Sequence, residues 1–254
     1  MSTITDRSTS TPRGALLQQT VVIIGGSSGI GLETARLART QGAEVVLTAR
    51  DPERLRTAAK EVEARSHAAF DADDSDRLDA FFRSLPAPVD HVMVTAGGPY
   101  YAPLAEMDIA DAGRHVAARV RLALGVARHA VTTVRPGGTV LLIAGTGSRR
   151  PAIGISVNAL LTAGLPALTA DLALEIAPIR VNLIAPGFVD TPLSASLLGD
   201  RLEQRRDQLR ASLPIGRVVG PRDVAALAVH VMVNTALTGA TFDIDGGQQL
   251  IAGG

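Results

Sequence analysis

The sequence of 254 residues contains no cysteine, no tryptophan and only two tyrosines. Without cysteine, the chain forms no disulfide, offers no thiolate nucleophile and has no sulfur ligand for zinc. Lysine is just as scarce, because Lys60 is the only one and every other Lys or Arg position is arginine. The tyrosines are neighbours, Tyr100 and Tyr101. The segment 102–254 therefore supplies neither a phenol nor an ammonium group.

Net charge is absent too, since 25 basic residues balance 25 acidic ones. This balance gives no electrostatic reason to expect nucleic acid or an anionic membrane as the main partner. The first residues are polar and rich in serine and threonine, without the apolar segment of a secretory signal. The longest apolar segment is interrupted by Asn158, Pro166 and Asp171, which argues against a membrane span. We therefore expect a cytoplasmic protein with no nucleic-acid or membrane partner.

Short β-branched runs alternate with helical stretches along the chain. The first strand candidate is Thr20–Ile24, and the last of the series is Thr241–Ile244. Helices of ten or more residues between strands indicate βαβ units with right-handed crossovers. The predicted fold class is α/β: a Rossmann-type, doubly wound parallel sheet of about seven strands with helices on both faces. Residues 1–18 are expected to be a disordered lead-in and residues 19–254 a single domain.

A glycine-rich turn, "GGSSGIG", follows the first strand candidate and opens the first helix. Gly25, Gly29 and Gly31 have the spacing G-x-x-x-G-x-G. Glycine permits a tight turn and a close approach of the backbone to a phosphate, and a helix N-terminus offers free N–H groups. In the first βα unit of a doubly wound sheet, this pattern favours a dinucleotide site over a turn that binds nothing.

The turn resembles the T-G-x-x-x-G-x-G signature of the short-chain dehydrogenase/reductase family, and further resemblances follow in chain order. They are "FDADD" (Phe70–Asp74), "TAGG" (Thr95–Gly98), "IRVNLIAPGFVDTPL" (Ile179–Leu193) and "LTGATFDIDGGQQL" (Leu237–Leu250). Nearly the whole chain therefore resembles this family. The resemblance implies the family's fold and a nicotinamide dinucleotide, so that residues 19–254 would form a single dinucleotide-binding domain.

The resemblance also assigns residues to the cofactor. The glycine-rich turn would hold the pyrophosphate, Asp71 would accept a hydrogen bond from the adenine amino group, and the segment after the sixth strand would frame the nicotinamide. The residues assigned in this way are Gly25, Ser27, Ser28, Gly29, Ile30, Gly31, Asp71, Ala72, Ala96, Gly97, Pro186, Gly187, Val189 and Thr191.

The end of the second strand candidate, "VVLTAR", bears on the choice of dinucleotide. An NAD site of the Rossmann type holds the ribose hydroxyls with a carboxylate near this point. Here Ala49 takes that place and Arg50 follows, and a guanidinium can pair with the 2′-phosphate of NADP(H). The sequence therefore favours NADP(H) over NAD(H). The alternative is that Arg50 is solvated or pairs with Asp51 or Glu53.

The family's usual chemistry uses a tyrosine and a lysine on the long helix after the fifth strand, a serine before that helix, and an asparagine on the preceding long helix. In this sequence the four positions are assigned to Asn158, Thr162, Gly145 and Arg119, respectively. No change of register restores the pair, because residues 102–254 contain neither tyrosine nor lysine. An amide has no titratable proton near neutral pH, and a threonine hydroxyl without a base is too weak an acid. We therefore predict that the usual proton transfer is absent.

Other polar side chains remain as candidates for the catalytic residues, which the sequence leaves unknown. Tyr100 and Tyr101 lie on the loop after the fourth strand candidate and could present a phenol to a substrate, with aromatic packing as the alternative. Arg119 would be a partly buried cation and should have an anionic or carbonyl partner. His115 and His129 share a helix but lack metal-ligand spacing, so no metal site is predicted.

Three functions are compatible with these observations. The first is an NADP(H)-dependent oxidoreductase that acts on a small carbonyl-type or activated substrate through a non-standard proton-transfer route. The second is a catalytically inactive dinucleotide-binding protein that serves as a sensor or as a partner in a mixed oligomer, and the third is a lyase or isomerase. The helix predicted over Ser156–Ala177 is apolar all round and must be covered on every side. It therefore predicts self-association, which the resemblance implies to be a dimer or a tetramer.

Overall fold

The computed structural model of the protein describes residues 14–251. A fully parallel, seven-stranded sheet lies at its centre, with the order β3-β2-β1-β4-β5-β6-β7. Its strands are β1 (Thr20–Ile24), β2 (Glu44–Ala49), β3 (Ser66–Ala69), β4 (Val89–Val94), β5 (Val134–Ile143), β6 (Arg180–Pro186) and β7 (Thr241–Ile244). The strand order reverses between β1 and β4, where doubly wound sheets form their ligand crevice. The predicted fold class is confirmed.

Helices cover both faces of the sheet. They are α1 (Gly29–Thr40), α2 (Pro52–Glu61), α3 (Ser75–Ser84), α4 (Ile109–Thr133), α5 (Ser156–Glu175), α6 (Pro192–Leu198), α7 (Leu202–Ser212) and α8 (Pro221–Val233). Because successive strand side chains point to opposite faces, Val22 and Ile24 of β1 pack in the core beneath α3, α4 and α5. Val21 and Ile23 pack in the other core, beneath α1, α2 and α8.

The predicted lead-in extends too far along the chain. Residues 14–18, which the sequence places in it, form a turn, and the Leu16 side chain is fully buried in the core beneath α1 and α2. The Leu16 backbone N–H donates to the Gln41 carbonyl oxygen at 3.1 Å. Burial of the Leu16 side chain anchors this turn. Residues 1–13, the rest of the predicted lead-in, lie outside the described part of the chain.

The helix predicted over Ser156–Ala177 ends at Glu175 instead. The α conformation is disfavoured for a residue before proline, which Ala177 is, so the helix stops short of Pro178. By length and composition α5 could cross a membrane. The core helix of a soluble protein passes the same test, and one side of α5 packs into the core above the sheet.

The sequence predicts a polar, helical segment over Pro192–Ala211 that would form a lid over the substrate, and the structure shows that this segment is not one continuous helix. The structure has two helices there, α6 and α7, with Gly199 between them at a φ of +51°. Glycine adopts such a φ without the steric cost of a side chain, so the chain turns at this point. Arg206 of α7 reaches back to the Asp190 carboxylate at 2.7 Å. We call the segment Pro192–Ser212 the lid.

His91 is an uncharged imidazole in the interior of the sheet. It lies on β4 with a side chain that is 3% exposed, and its Nε2 is 2.6 Å from Oε1 of Gln19. Burial lowers the pKa of His91 to about 3, with a further contribution from the positive charges of Arg180 and Arg135. The folded protein therefore keeps this side chain neutral at pH values where an unfolded chain would protonate it.

This difference in pKa predicts a loss of stability on acidification. Below the unfolded pKa of about 6.5 only the unfolded state gains a proton at His91, so the free energy of unfolding should fall by about 1.4 kcal/mol per pH unit. The decline should continue as the pH falls towards the folded pKa of about 3. Urea unfolding at pH 6.5 and pH 5 should show an acid-induced loss about 1.6 kcal/mol smaller in His91→Gln than in the wild type. His67→Gln, at an exposed position of β3, is the control and should keep the wild-type loss. Equal losses in His91→Gln and the wild type would contradict the prediction.

Candidate active site

A cavity of about 790 Å³ opens at the carboxyl ends of the central strands. Gly25 follows β1, Thr95 follows β4, Ala144 follows β5 and Pro186 ends β6, and all four line the cavity. Residues of α5 and of the lid form the remaining walls. Its position is the crevice where doubly wound sheets bind their ligands, and its volume suits a small molecule or a cofactor.

The glycine-rich turn forms one end of this cavity and packs closely against the end of β4. A Cβ on Gly31 would lie 2.3 Å from the Gly25 carbonyl oxygen and 2.7 Å from Thr95 Oγ1. The Thr95 hydroxyl donates to the same carbonyl oxygen at 2.9 Å. Gly29, with a φ of +55°, begins α1. The turn therefore needs glycine at these positions even before a ligand is considered.

The N-terminus of α1 is not capped by its own side chains. Ser28 is the N-cap residue but makes no side-chain capping bond, and the first turn contains no acidic residue. The first N–H groups of a helix have no intrahelical partner, and the dipole adds positive potential there. Ser28, Gly29 and Ile30 line the cavity at this end. This end of the cavity fits a phosphate group, as the glycine spacing predicts.

The end of β2 leaves a cation exposed beside this turn. Arg50 is exposed and has no hydrogen bond or ion pair with another residue of the range 14–251. Asp51 accepts hydrogen bonds from N–H groups of α2 instead, and Glu53 pairs with Arg56. In the structure Arg50 pairs with neither Asp51 nor Glu53, and its exposure fits the alternative of a solvated residue. Its pairing with a phosphate stays a prediction.

The assigned cofactor residues fall into two groups. Gly25, Ser28, Gly29, Ile30, Gly31, Gly97, Pro186, Gly187, Val189 and Thr191 line the cavity. Ser27, Arg50, Asp71, Ala72 and Ala96 do not, although they lie at the neighbouring carboxyl ends of β1 to β4. Asp71 is exposed, and its Oδ1 accepts a hydrogen bond from the Asp73 backbone N–H at 3.1 Å. The cavity thus brings together the positions assigned to the pyrophosphate and the nicotinamide.

Arg119 is a lining side chain that two backbone carbonyl groups hold in place. Its Nη2 donates to the Ile143 carbonyl oxygen at 2.9 Å, and its Nη1 donates to the carbonyl oxygen of Ala96. These carbonyls lie at the ends of β5 and β4, so the guanidinium joins two adjacent strand ends and packs against Gly97. Burial lowers the pKa of Arg119 from its ordinary value, and the negative charge of Asp73 acts in the opposite direction. The sequence predicts an anionic or carbonyl partner for this cation, and its partners in the structure are two carbonyl oxygens.

Asn158 holds a loop over the cavity. Its Nδ2 donates to the Tyr100 carbonyl oxygen at 2.7 Å, and its Oδ1 accepts from the Tyr100 backbone N–H at 2.9 Å. The side chain is 7% exposed, and it lines the cavity. One amide thus supplies both partners for one backbone residue of the loop. We call this pair of bonds the Asn158 clamp.

The Asn158 clamp predicts a loss of stability in Asn158→Leu. Leucine has a similar size but would leave one backbone donor and one backbone acceptor of Tyr100 unpaired, at a cost of about 2–4 kcal/mol in the free energy of unfolding. Thr162→Val is the matched control, one turn further along α5, because its hydroxyl makes no hydrogen bond with any described residue. Urea unfolding of both variants tests this. A cost for Asn158→Leu no greater than that of the control would show that the clamp contributes nothing.

The two tyrosines differ in their surroundings. Tyr101 lines the cavity, and partial burial raises the pKa of its phenol. The Tyr100 side chain lies outside the lining: its hydroxyl donates to the Asp108 carbonyl oxygen at 3.3 Å, and its ring centroid is 5.5 Å from that of His115. Burial, followed by the nearby negative charges, raises the pKa of Tyr100. A phenol with a raised pKa is a poorer proton donor at neutral pH.

The cavity contains few groups that could transfer a proton. Of its lining residues within the range 14–251, none is Asp, Glu, His or Lys. Tyr101, Arg119, Arg201 and Arg205 are the ionisable side chains there. Gly145 and Thr162, assigned to the family's serine and lysine positions, also line it. The lining therefore combines apolar and neutral polar side chains with cationic ones, and it contains no carboxylate.

Sequence reasoning placed a lid here but did not identify the lid side chains that line the cavity. Arg201 and Arg205 line the cavity, together with the leucines Leu193, Leu197 and Leu198. Gln248, near the end of the described chain, also lines it, and its Oε1 accepts from the Phe188 backbone N–H at 2.9 Å. The i, i+4 spacing of the two arginines was the available signal, but only the turn at Gly199 shows that they face the cavity.

The parallel sheet, the strand order and the glycine-rich turn define a Rossmann-type α/β protein. The chain matches the family model described as enoyl-(acyl carrier protein) reductase over residues 25–249. This match covers most of the chain, and it agrees with the resemblance found in the motifs. The protein belongs to the short-chain dehydrogenase/reductase family, a family of oxidoreductases.

Similar proteins support this assignment in sequence and in structure. Short-chain dehydrogenase/reductase malC of Malbranchea aurantiaca is 28% identical over 94% of this chain and 97% of its own length. The structure of that protein, described as a reductase/Diels-Alderase, has a TM-score of 0.87, with 27% identity over 94% of this chain and 99% of the other. Short-chain dehydrogenase/reductase ATR9 of Stachybotrys chlorohalonatus is 30% identical, with 90% and 96% covered. The structure of BdcA in complex with NADPH has a TM-score of 0.81 and 28% identity, with 92% and 95% covered.

Proposed function

We propose that the protein is an NADP(H)-dependent reductase of a conjugated or similarly activated carbonyl compound. Arg119 would stabilise the negative charge that develops on the substrate oxygen, and the proton would come from solvent. The observation that carries the proposal is the anchored guanidinium of Arg119 in a cavity lining without carboxylate, imidazole or lysine ammonium groups. A usual Tyr-x-x-x-Lys mechanism would not operate, because no tyrosine or lysine follows Tyr101.

The cofactor part of the proposal is supported by the glycine-rich turn and by similar structures. The uncapped N-terminus of α1 and the tight packing of Gly31 fit a pyrophosphate, and BdcA, which shares the fold, binds NADPH. Arg50, exposed and without a partner among the described residues, would pair with the 2′-phosphate, which favours NADP(H) over NAD(H). A reduced nicotinamide, when bound, would supply a hydride.

Residues of the chain would stabilise the negative charge that forms on the substrate. Addition of a hydride to the β-carbon of a conjugated carbonyl moves the C=C electrons onto the oxygen, which gives an enolate. Because this charge is delocalised, water can protonate the α-carbon without a strong protein acid. The N–H groups that Arg119 does not donate to Ala96 and Ile143 would stabilise the enolate oxygen. The Asn158 clamp would keep the loop of Tyr101 in place over the substrate.

A matched pair of substrates tests this proposal. The purified protein is incubated with NADPH or NADH and with either 2-cyclohexenone or cyclohexanone, and the nicotinamide absorbance is followed. We expect turnover of the enone with NADPH, at least about tenfold faster than that of the saturated ketone, which corresponds to about 1.4 kcal/mol in the barrier. Equal rates for the two substrates would contradict the role assigned to the enolate.

Other outcomes of this experiment favour the alternatives. Tight NADPH binding without turnover of enones, ketones, quinones or imines would support a catalytically inactive dinucleotide-binding protein. Binding of neither dinucleotide would show that the glycine-rich turn has another role. NADH turned over as well as NADPH would remove the role assigned to Arg50.

Self-association is part of the proposal. On α5, Leu160 is 60% exposed and Leu174 is 81% exposed, although the helix also packs into the core. Exposed leucines on an apolar helix indicate a surface that a second copy would cover. We expect a dimer or a tetramer in solution, and a cytoplasmic location.

A further inference from the structure

Two arginines of the lid face the cavity without a partner. Arg201 ends the short turn between α6 and α7, and Arg205 lies one helical turn further along α7. Both line the cavity, and within the range 14–251 neither forms an ion pair or a side-chain hydrogen bond. Arg205 is half-buried and Arg201 is exposed. A partly buried cation is stabilised by an anion, so a missing partner indicates a ligand.

Other arginines of the same helix have partners. Arg206 pairs with Asp190 and with Glu203, three residues before it, and Arg210 pairs with Asp207 in the same way. The residues three before Arg201 and Arg205 are leucines, Leu198 and Leu202. Acidic partners are thus present for arginines that point away from the cavity and absent for those that line it.

The spacing of Arg201 and Arg205 has an energetic consequence. Residues i and i+4 of a helix are neighbours, and two like charges at this spacing destabilise it by roughly 0.2–0.5 kcal/mol. An anion between the two guanidinium groups would reverse the sign of this contribution. Guanidinium groups suit carboxylate and phosphate groups in particular, because both anions accept paired hydrogen bonds.

Leucines of the lid and of α5 share the cavity lining with these arginines, together with neutral polar side chains such as Ser194 and Thr162. Leu193, Leu197 and Leu198 of the lid and Leu161 and Leu165 of α5 line the same cavity. A ligand that fills this part of the cavity would therefore have an apolar body and a single anionic end.

We propose that Arg201 and Arg205 bind the carboxylate or phosphate group of an otherwise apolar substrate. The proposal rests on the proposed function in one respect, namely that a cofactor occupies the glycine-rich end of the cavity. The pyrophosphate of that cofactor already has a site at the uncapped N-terminus of α1. The two lid arginines are therefore assigned to the substrate, and their assignment to the cofactor is an outcome that the test can show.

Isothermal titration calorimetry of the NADPH-saturated full chain tests the site, with octanoate as the anionic probe and 1-octanol as the neutral one. We expect octanoate to bind the wild type at least about tenfold more tightly than octanol does, about 1.4 kcal/mol. The double variant Arg201→Gln/Arg205→Gln should bind octanoate at least about tenfold more weakly, with octanol binding unchanged. Its affinity for NADPH should change by less than about twofold, below about 0.4 kcal/mol.

Arg210→Gln is the matched control, because it removes an exposed arginine of α7 that does not line the cavity. It should bind both probes like the wild type. Thermal unfolding of each variant shows whether the lid substitutions affect folding, and glutamine keeps a good helix propensity.

Three results would overturn the proposal. The first is failure of octanoate to bind the wild type, or binding no tighter than octanol. The second is a loss of NADPH affinity in the double variant as large as its loss of octanoate affinity, which would assign the arginines to the cofactor. The third is an equal loss of octanoate affinity in Arg210→Gln. Because the measurement is of binding, it stands even if neutral enones are not reduced, which would count against the proposed function alone.

Discussion

Replacement of Arg119 with methionine should lower kcat/KM for an enone by a factor of about a hundred to a thousand. Loss of a single preorganised donor to a developing oxyanion has an effect of this size. Methionine has a similar length but no N–H group, so it would also leave the Ala96 and Ile143 carbonyl oxygens without their present donors. The decrease should lie in kcat rather than in the affinity for NADPH, because the interaction strengthens as the charge develops.

Two further variants make this result specific. Arg119→Lys keeps a positive charge but lacks the planar guanidinium group that bonds both strand ends. It should therefore retain more activity than Arg119→Met but less than the wild type. Arg121→Met, at an exposed position two residues along α4, should behave like the wild type. Steady-state kinetics with NADPH and 2-cyclohexenone, together with NADPH binding by calorimetry, gives the comparison. An Arg119→Met variant with wild-type kcat would rule out the role assigned to this cation.

Gly31→Ala should abolish NADPH binding and destabilise the fold. The added methyl group would lie 2.3 Å from the Gly25 carbonyl oxygen, which is backbone and cannot rotate away. The start of α1 must then move, at a cost of about 1–3 kcal/mol in the free energy of unfolding. The same movement would displace the N–H groups that face the cavity, so the site for a pyrophosphate would be lost.

Gly113→Ala provides the control for Gly31→Ala. Gly113 lies on α4, and a Cβ there would meet no atom within 4 Å. Alanine should therefore raise the free energy of unfolding by about 0.5–1 kcal/mol and leave NADPH binding unchanged. Calorimetric titration with NADPH and urea unfolding check both variants. Wild-type NADPH affinity in Gly31→Ala would place the dinucleotide elsewhere.

Local signals were sufficient to predict the sheet and the glycine-rich turn. A strand such as β1, buried on both faces, is a continuous run of β-branched residues. The glycine-rich turn from Gly25 to Gly31 is formed by residues that are adjacent in the sequence. Prediction was wrong where one residue decides the local structure. Leu16 anchors a turn within the segment predicted to be a disordered lead-in, and Gly199 divides a stretch of helical composition into two helices.

The contacts of the candidate site join residues far apart in the sequence and are not visible in it. Asn158 contacts Tyr100 across 58 positions, and Arg119 reaches Ile143 across 24. Sequence reasoning placed Asn158 and Arg119 at positions of interest and gave the kind of partner that Arg119 requires. The sequence could not show which carbonyl groups bind Arg119, nor that Arg205 of the lid lines the cavity, because both depend on tertiary packing.

The Asn158 clamp has a consequence for any attempt to re-engineer the site. Introducing tyrosine at Asn158 and lysine at Thr162 would recreate the pair that the family resemblance assigns to these positions. It would also remove the only side chain in the described range that bonds the Tyr100 backbone, and the loop would lose its anchor. The effect of these two substitutions therefore depends on the sequence of the loop that Asn158 holds. A design that restores the ordinary chemistry has to redesign Pro99, Tyr100 and Tyr101 in the same step.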